Sequence, residues 1–166
     1  MWIRTETQAD HAAIDELLGA AFAGMPGGGQ VERRIASALR DDDAMGLCLV
    51  ADIDGRIAGC AMFSPVSIED GAPDWYGLGP VAVSPQDQRH GVGSALIRAG
   101  LAELADRGAA GCVVLGEPEY YGRFGFRNEP SLRYSDAPAQ YFQALAFKDG
   151  PANGEVRYHA SFSRAE

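Results

Sequence analysis

Gln88-Arg89-His90-Gly91-Val92-Gly93-Ser94 is the most concentrated chemical signal in the chain. Gly91 and Gly93 remove side chains where a helical pattern opens, so a ligand can approach the backbone closely. The first turn of a helix leaves its N–H groups without intrahelical partners and carries the positive end of the helix dipole. Such a turn holds an anion, for instance a pyrophosphate, and Arg89 adds charge at its rim. His90 sits in the same turn and reads as a contact or a bystander. The spacing differs from two other phosphate loops. A Walker loop needs Gly-Lys-Ser/Thr, and the lysine is missing. A dinucleotide fingerprint needs a third glycine where Leu96 stands, and it would follow its strand without the intervening residues 84–90.

A second signal lies just upstream. Gly77-Leu78-Gly79-Pro80 interrupts a strand pattern. Proline cannot donate to a ladder and glycine weakens one, so the pair predicts a bulge. An edge strand with a routine kink is the other reading; a bulge here would splay this strand from its parallel neighbour at 112–115. Val81, Ala82 and Val83 then present backbone groups to an open gap, and a ligand rich in amides satisfies them.

These signals need a frame. Residues 2–6 read as a strand, and Thr7 caps a helix running to about 23. Met25-Pro26-Gly27-Gly28-Gly29 is a flexible loop before a second helix at 32–39. Residues 47–53 and 56–65 form a hairpin around Asp54-Gly55. An acidic loop at 69–74 leads to the faulted strand at 75–83. A helix at 91–107, stopped by Gly108, leads to a buried strand at 112–115. Residues 117–124 form a short helical turn, and the tail offers strands at 141–147 and 155–162. This order predicts one α/β (α+β) domain over 1–166, a mixed central sheet flanked by helices. Residues 75–115 form a βαβ crossover with its two strands side by side.

Composition narrows the function. The 166 residues carry 14 Lys+Arg against 23 Asp+Glu, a formal net charge of −9. That argues against nucleic acid, whose affinity comes from neutralising phosphates, and favours a cationic second substrate such as an amine. No apolar run reaches the ~20 residues of a membrane helix, and the N-terminus does not read as a secretory signal. Cys48, Cys60 and Cys112 are odd in number, lack a C-x-x-C pair and sit among apolar neighbours. Buried reduced thiols in a cytoplasmic protein fit best. His11, His90 and His159 show no ligand spacing, so no metal is expected.

Gln88-x-x-Gly91-x-Gly93, following Val81-Ala82-Val83-Ser84-Pro85, resembles the Q/R-x-x-G-x-G/A signature of the GCN5-related N-acetyltransferases (GNAT). Tyr120-Tyr121-Gly122-Arg123-Phe124-Gly125-Phe126 resembles the Y-x-x-x-G-F element of the same family, and the form of 115–121 resembles its YhbS-like branch. The resemblance covers about 2–130. It departs where Val114-Leu115-Gly116-Glu117-Pro118 replaces an asparagine that opens a longer helix in the commoner pattern.

The resemblance implies a fold with splayed parallel strands and acetyl-CoA as cosubstrate. Its pyrophosphate would lie on Arg89, His90, Gly91, Val92, Gly93 and Ser94, and its pantetheine amides on Val81 and Val83. The acceptor would be a primary amine of a small molecule or peptide, attacking the thioester directly. Protonation of a thiolate (~8.5) by a tyrosine (~10) is uphill by only about 2 kcal/mol, which makes Tyr121 the candidate general acid. Glu117 is the first candidate base, with Asp74, Glu69 and Glu32 as alternatives. Trp75, Tyr76, Phe22 and Met25 are candidates for the acceptor pocket. A non-catalytic acyl-CoA-binding sensor and a nucleotide-binding domain are the rival readings. The tail strands leave a homodimer possible.

Overall fold

Successive side chains of a strand point to opposite faces, so the stretch Leu47-Cys48-Leu49-Val50-Ala51 feeds two cores at once. A computed structural model describes residues 1–150 and 152–164. In it, Leu47, Leu49 and Ala51 join one buried cluster, while Cys48 and Val50 join another across the sheet.

The strands are β1 (Trp2–Thr5), β2 (Leu47–Ile53), β3 (Arg56–Ile68), β4 (Trp75–Val83), β5 (Gly111–Leu115), β6 (Leu132–Arg133), β7 (Phe142–Ala146) and β8 (Gly154–Arg157). The α-helices are α1 (His11–Ala21), α2 (Gln30–Asp41), α3 (Val92–Asp106), α4 (Pro118–Gly122) and α5 (Ser161–Arg164). The sheet runs β1-β2-β3-β4-β5-β7, with β8 attached to the far end of β3 and β6 attached to β8. β4 and β5 are parallel neighbours joined through α3, and the other neighbouring pairs of the main sheet are antiparallel. The mixed sheet flanked by helices is the expected fold class.

α3 covers one face. Leu96, Ile97 and Leu104 are fully buried there, each contributing roughly 1.5–3 kcal/mol by leaving water. α1 covers the opposite face through Ile14, Leu17 and Leu18. Before α1 comes a 3-10 turn, Gln8–Asp10, in which Asp10 Oδ2 accepts from Thr7 N at 2.7 Å. The Arg4 guanidinium, 2.7 Å from that carboxylate, holds its pKa well below the usual range. All three cysteines are free and buried, and burial pushes the Cys60 thiol up to about 12.

The tail differs from expectation. The strand expected over 155–162 ends at Arg157, because Ser161 N donates to His159 Nδ1 at 3.0 Å and starts the α5 turn there. The two-residue β6 was too short to show a pattern. β7 and β8 are paired within the chain, to β5 and to β3 and β6, so the tail strands give no support to a homodimer.

Candidate active site

The fault in β4 is a bulge. Ala61 pairs with Val81 and Phe63 with Leu78, so Met62 faces two residues, Gly79 and Pro80. Gly79 has φ +144°, a conformation that favours glycine. On the other edge, β4 pairs with β5 over Trp75–Gly111 to Leu78–Val114 and no further. The bulge thus marks where the two parallel strands part.

Beyond it, backbone direction follows from one bond. Ser84 N donates to Ala58 O at 2.8 Å, and direction alternates along an antiparallel ladder. The backbone groups of Ala82 and Ser84 therefore point to β3, and those of Val81 and Val83 point away from it into the gap. Gln88 reaches the same side, its Nε2 donating to Val83 O at 3.0 Å. Of the three residues expected along the gap, Ala82 has its backbone turned to β3 and its side chain buried in the α1-side core.

Gln88 leads into the turn. Arg89 and Gly91 both have positive φ, +65° and +84°, which reverses the chain and starts α3 at Val92. Arg89, His90 and Gly91 are exposed, and the N–H groups of Val92, Gly93 and Ser94 form the open first turn. Arg123, at the end of α4, closes the turn on one side. Its Nη2 donates to Ser94 Oγ at 3.2 Å, and its guanidinium lies 4.6 Å from the Tyr120 ring centroid. Asp87 also borders the turn, but Arg56 pairs with it at 2.6 Å. Neither Arg123 nor Tyr120 had been assigned to the turn from sequence. Both lie about thirty positions downstream, and no local pattern joins them to it.

Past the parting point lies a cavity of about 300 Å³. Its inner wall is Leu78 to Val81 and Leu115, the two strand ends themselves. Tyr121 comes in from α4. A side chain on Gly116 would stand 2.3 Å from the Tyr121 ring, so glycine there lets the ring lie against the end of β5. The ring packs edge-on to Tyr120, with centroids 4.9 Å apart, and also contacts Phe126. Its hydroxyl has no hydrogen-bond partner among the described residues. Burial pushes its pKa up to about 12. Full proton transfer to a thiolate then costs roughly 5 kcal/mol rather than about 2, so Tyr121 suits hydrogen-bond donation to developing charge on sulfur with late transfer.

The candidate carboxylates separate clearly. Glu117 is exposed and absent from the cavity wall; its carbonyl accepts from Tyr120 N and Tyr121 N and starts α4. Glu69 accepts from Arg133 Nη2 and Glu155 N. Asp74 is exposed in the turn before β4. Glu32, in the first turn of α2, lines the cavity, and its Oε1 is buried with no hydrogen-bond partner among the described residues. Gly27, Gly28 and Gly29 all have positive φ, so the expected flexible loop is a shaped turn that aims α2. Such an orphaned acceptor costs about 1–3 kcal/mol, more if charged, until something donates to it.

Of the four residues expected to line the acceptor pocket, only Phe22 lines this cavity. Trp75 is buried in the tail-side core, Tyr76 packs on the α3-side core and Met25 is 58% exposed. The remaining wall comes from the tail: Tyr134, Tyr158 and Phe162. A side chain on Gly77 would stand 2.5 Å from the Tyr158 ring, so the first glycine of the faulted strand makes room for the tail. The Tyr158 hydroxyl is buried without a hydrogen-bond partner among the described residues. Among the described residues no group of three or more His, Cys, Asp and Glu is arranged to hold a metal ion, and no helix is long and apolar enough to cross a membrane.

Comparison with known proteins agrees with this geometry. Residues 12–126 match the family model described as acetyltransferase (GNAT) family. The Escherichia coli K12 protein described as uncharacterized N-acetyltransferase YhbS is 33% identical, over 99% of each chain. A crystal structure of that E. coli protein with CoA superposes with TM-score 0.91, covering 98% of this chain and 92% of the other. A Brucella melitensis GNAT family acetyltransferase solved with acetyl-CoA is 45% identical, with TM-score 0.85 over 97% of each chain. With the glycine turn, the parted strands and the tyrosine all in place, the chain belongs to the acetyltransferase (GNAT) family and is an N-acetyltransferase of it.

Proposed function

We propose that this single domain binds acetyl-CoA along the gap between β4 and β5 and transfers its acetyl group to a primary amine in the cavity beyond. The observation that carries the reading is the parting of β4 from β5 after Leu78, which leaves Val81 and Val83 without a strand partner on that edge, the Val83 carbonyl being taken up by Gln88. Two similar proteins, from B. melitensis and E. coli, were solved with acetyl-CoA and CoA respectively, which supports the same ligand here.

The pyrophosphate sits on the N–H groups of Val92, Gly93 and Ser94, with Gln88, Arg89, His90 and Gly91 shaping the approach and Arg123 adding charge. The pantetheine amides extend the sheet along Val81 and Val83. In the transfer, the amine nitrogen bonds to the thioester carbon and the C–S bond breaks. The nitrogen sheds two protons. One leaves through Glu32 to solvent; the other balances the proton that Tyr121 gives to the departing sulfur. We assign the base to Glu32 rather than Glu117, because Glu32 lines the cavity and Glu117 does not. A lysine-like amine (~10.4) pays roughly 4.6 kcal/mol to lose its first proton at pH 7, so an adjacent carboxylate lowers the barrier. A backbone N–H near the parting point stabilises the oxyanion.

The test is direct. Acetyl-CoA raises the melting temperature of the full chain, since a ligand that binds the folded state stabilises it. CoA thiol appears only when an amine acceptor is present. Absence of stabilisation by both CoA and acetyl-CoA overturns the reading.

A further inference from the structure

The acceptor cavity has a composition that selects its ligand. Phe22, Tyr121, Tyr134, Tyr158 and Phe162 supply aromatic surface, and Glu32 is the only charged side chain among the described lining residues. Among the described lining residues there is no arginine or lysine, so none of them offers a cationic partner to a carboxylate or phosphate on the acceptor. With a single carboxylate, only one ammonium of a polyamine is paired. Aromatic faces attract a cation electrostatically and fit a flat apolar body. Glu32 and Tyr158 both line the cavity, and among the described residues neither Glu32 Oε1 nor the Tyr158 hydroxyl, both shut off from bulk water, has a hydrogen-bond partner.

The tail walls one side of the cavity. Phe162 packs on α2 beside Ile35 and Leu39, and His159 Nε2 lies 3.0 Å from Asp42 Oδ2 just past the end of α2. The tail thus spans from β8 to α2 beside a cavity that opens to solvent and measures about 300 Å³, the lower end of sites for drug-sized molecules.

Resting on the reading above, we propose that the acceptor is a small monoamine carried on an aromatic or similarly flat apolar body, without a carboxylate. Its ammonium meets Glu32, its body lies among the aromatic rings, and a polar substituent reaches Tyr158.

The experiment measures CoA thiol release by the full chain with phenethylamine, tyramine, spermidine, L-phenylalanine and a lysine-containing peptide. Phenethylamine and tyramine are expected to exceed the other three by at least ~10-fold in kcat/KM. Glu32→Gln is expected to lower their kcat/KM by ~100-fold or more, while acetyl-CoA still raises its melting temperature as in the unsubstituted protein. Tyr158→Phe narrows the difference between tyramine and phenethylamine. Equal or better turnover of spermidine, phenylalanine or the peptide overturns the acceptor class and leaves the acetyltransferase reading intact. Full activity of Glu32→Gln overturns the placement of the ammonium. Loss of acetyl-CoA stabilisation in the unsubstituted protein overturns the underlying reading, and this one with it. Should Glu32→Gln not fold, the ranking of the five acceptors decides the class.

Discussion

The two halves of the site are built differently. The glycine turn is nearly continuous in sequence: Gln88 to Ser94 supply it, with Tyr120 and Arg123 as the distant additions. The cavity draws on the end of α1, the start of α2, β4, β5, α4 and the tail. One half is made of backbone, the other of side chains. Backbone N–H groups are present in every sequence, so a short glycine pattern suffices to expose them. A side-chain pocket requires that distant segments arrive together.

That contrast is open to attack. The largest effect is expected at the junction of the halves. Tyr121→Phe keeps the ring packing against Tyr120 and Phe126 but removes the proton donor. It should lower kcat by roughly 10- to 100-fold with little change in the acetyl-CoA concentration needed for half-maximal stabilisation. An unchanged kcat would take Tyr121 out of the chemistry.

Next comes the backbone half. Gly93→Leu puts a side chain on the open first turn of α3, where even a Cβ stands 3.3 Å from the Tyr120 hydroxyl. Acetyl-CoA affinity should fall by about 10-fold or more. The melting temperature without ligand should hold, because leucine is a better helix former than glycine. A loss of stability without loss of affinity would show that Gly93 serves packing instead.

Alkaline stability gives a smaller and independent reading of Tyr121. Its folded pKa is raised, to about 12, above the ordinary value of 10. Between these values the unfolded chain ionises first, so stability is full below pH 10 and falls as pH rises toward 12. The contribution is up to about 3 kcal/mol. The melting temperature of Tyr121→Phe should therefore fall less steeply over pH 10–12 than that of the unsubstituted protein. Parallel curves would mean that the ring is more hydrated than its packing indicates.

The smallest effect belongs to Arg123. Its guanidinium is exposed at the turn, so Arg123→Gln should weaken acetyl-CoA by only about two- to fivefold, and by less as salt is raised. A salt-independent loss would point to a packing role against Tyr120.

Much of the fold was legible because its signals are local. The boundaries of β4, Trp75 to Val83, follow directly from the sequence pattern, including the fault inside it. The tail was less legible. Tyr158 and Phe162 alternate as if in a strand, yet His159 receives the Ser161 N–H and turns the chain into α5. The candidate carboxylates illustrate the same limit. Glu117 is near Tyr121 along the chain, while Glu32 lines the same cavity as Tyr121. Chain proximity favoured the first because nothing local reveals where the start of α2 packs.

By itself, the sequence determined the exposed amides of the α3 turn, the bulge that parts β4 from β5, and the order of elements around them. Each depends on φ preferences and missing donors within a few residues of one another. Only the tertiary structure decided which carboxylate enters the cavity, which rings wall it and which arginine reaches the turn. Those outcomes depend on how helices and the tail pack on the sheet, and packing sums over contacts that are remote along the chain.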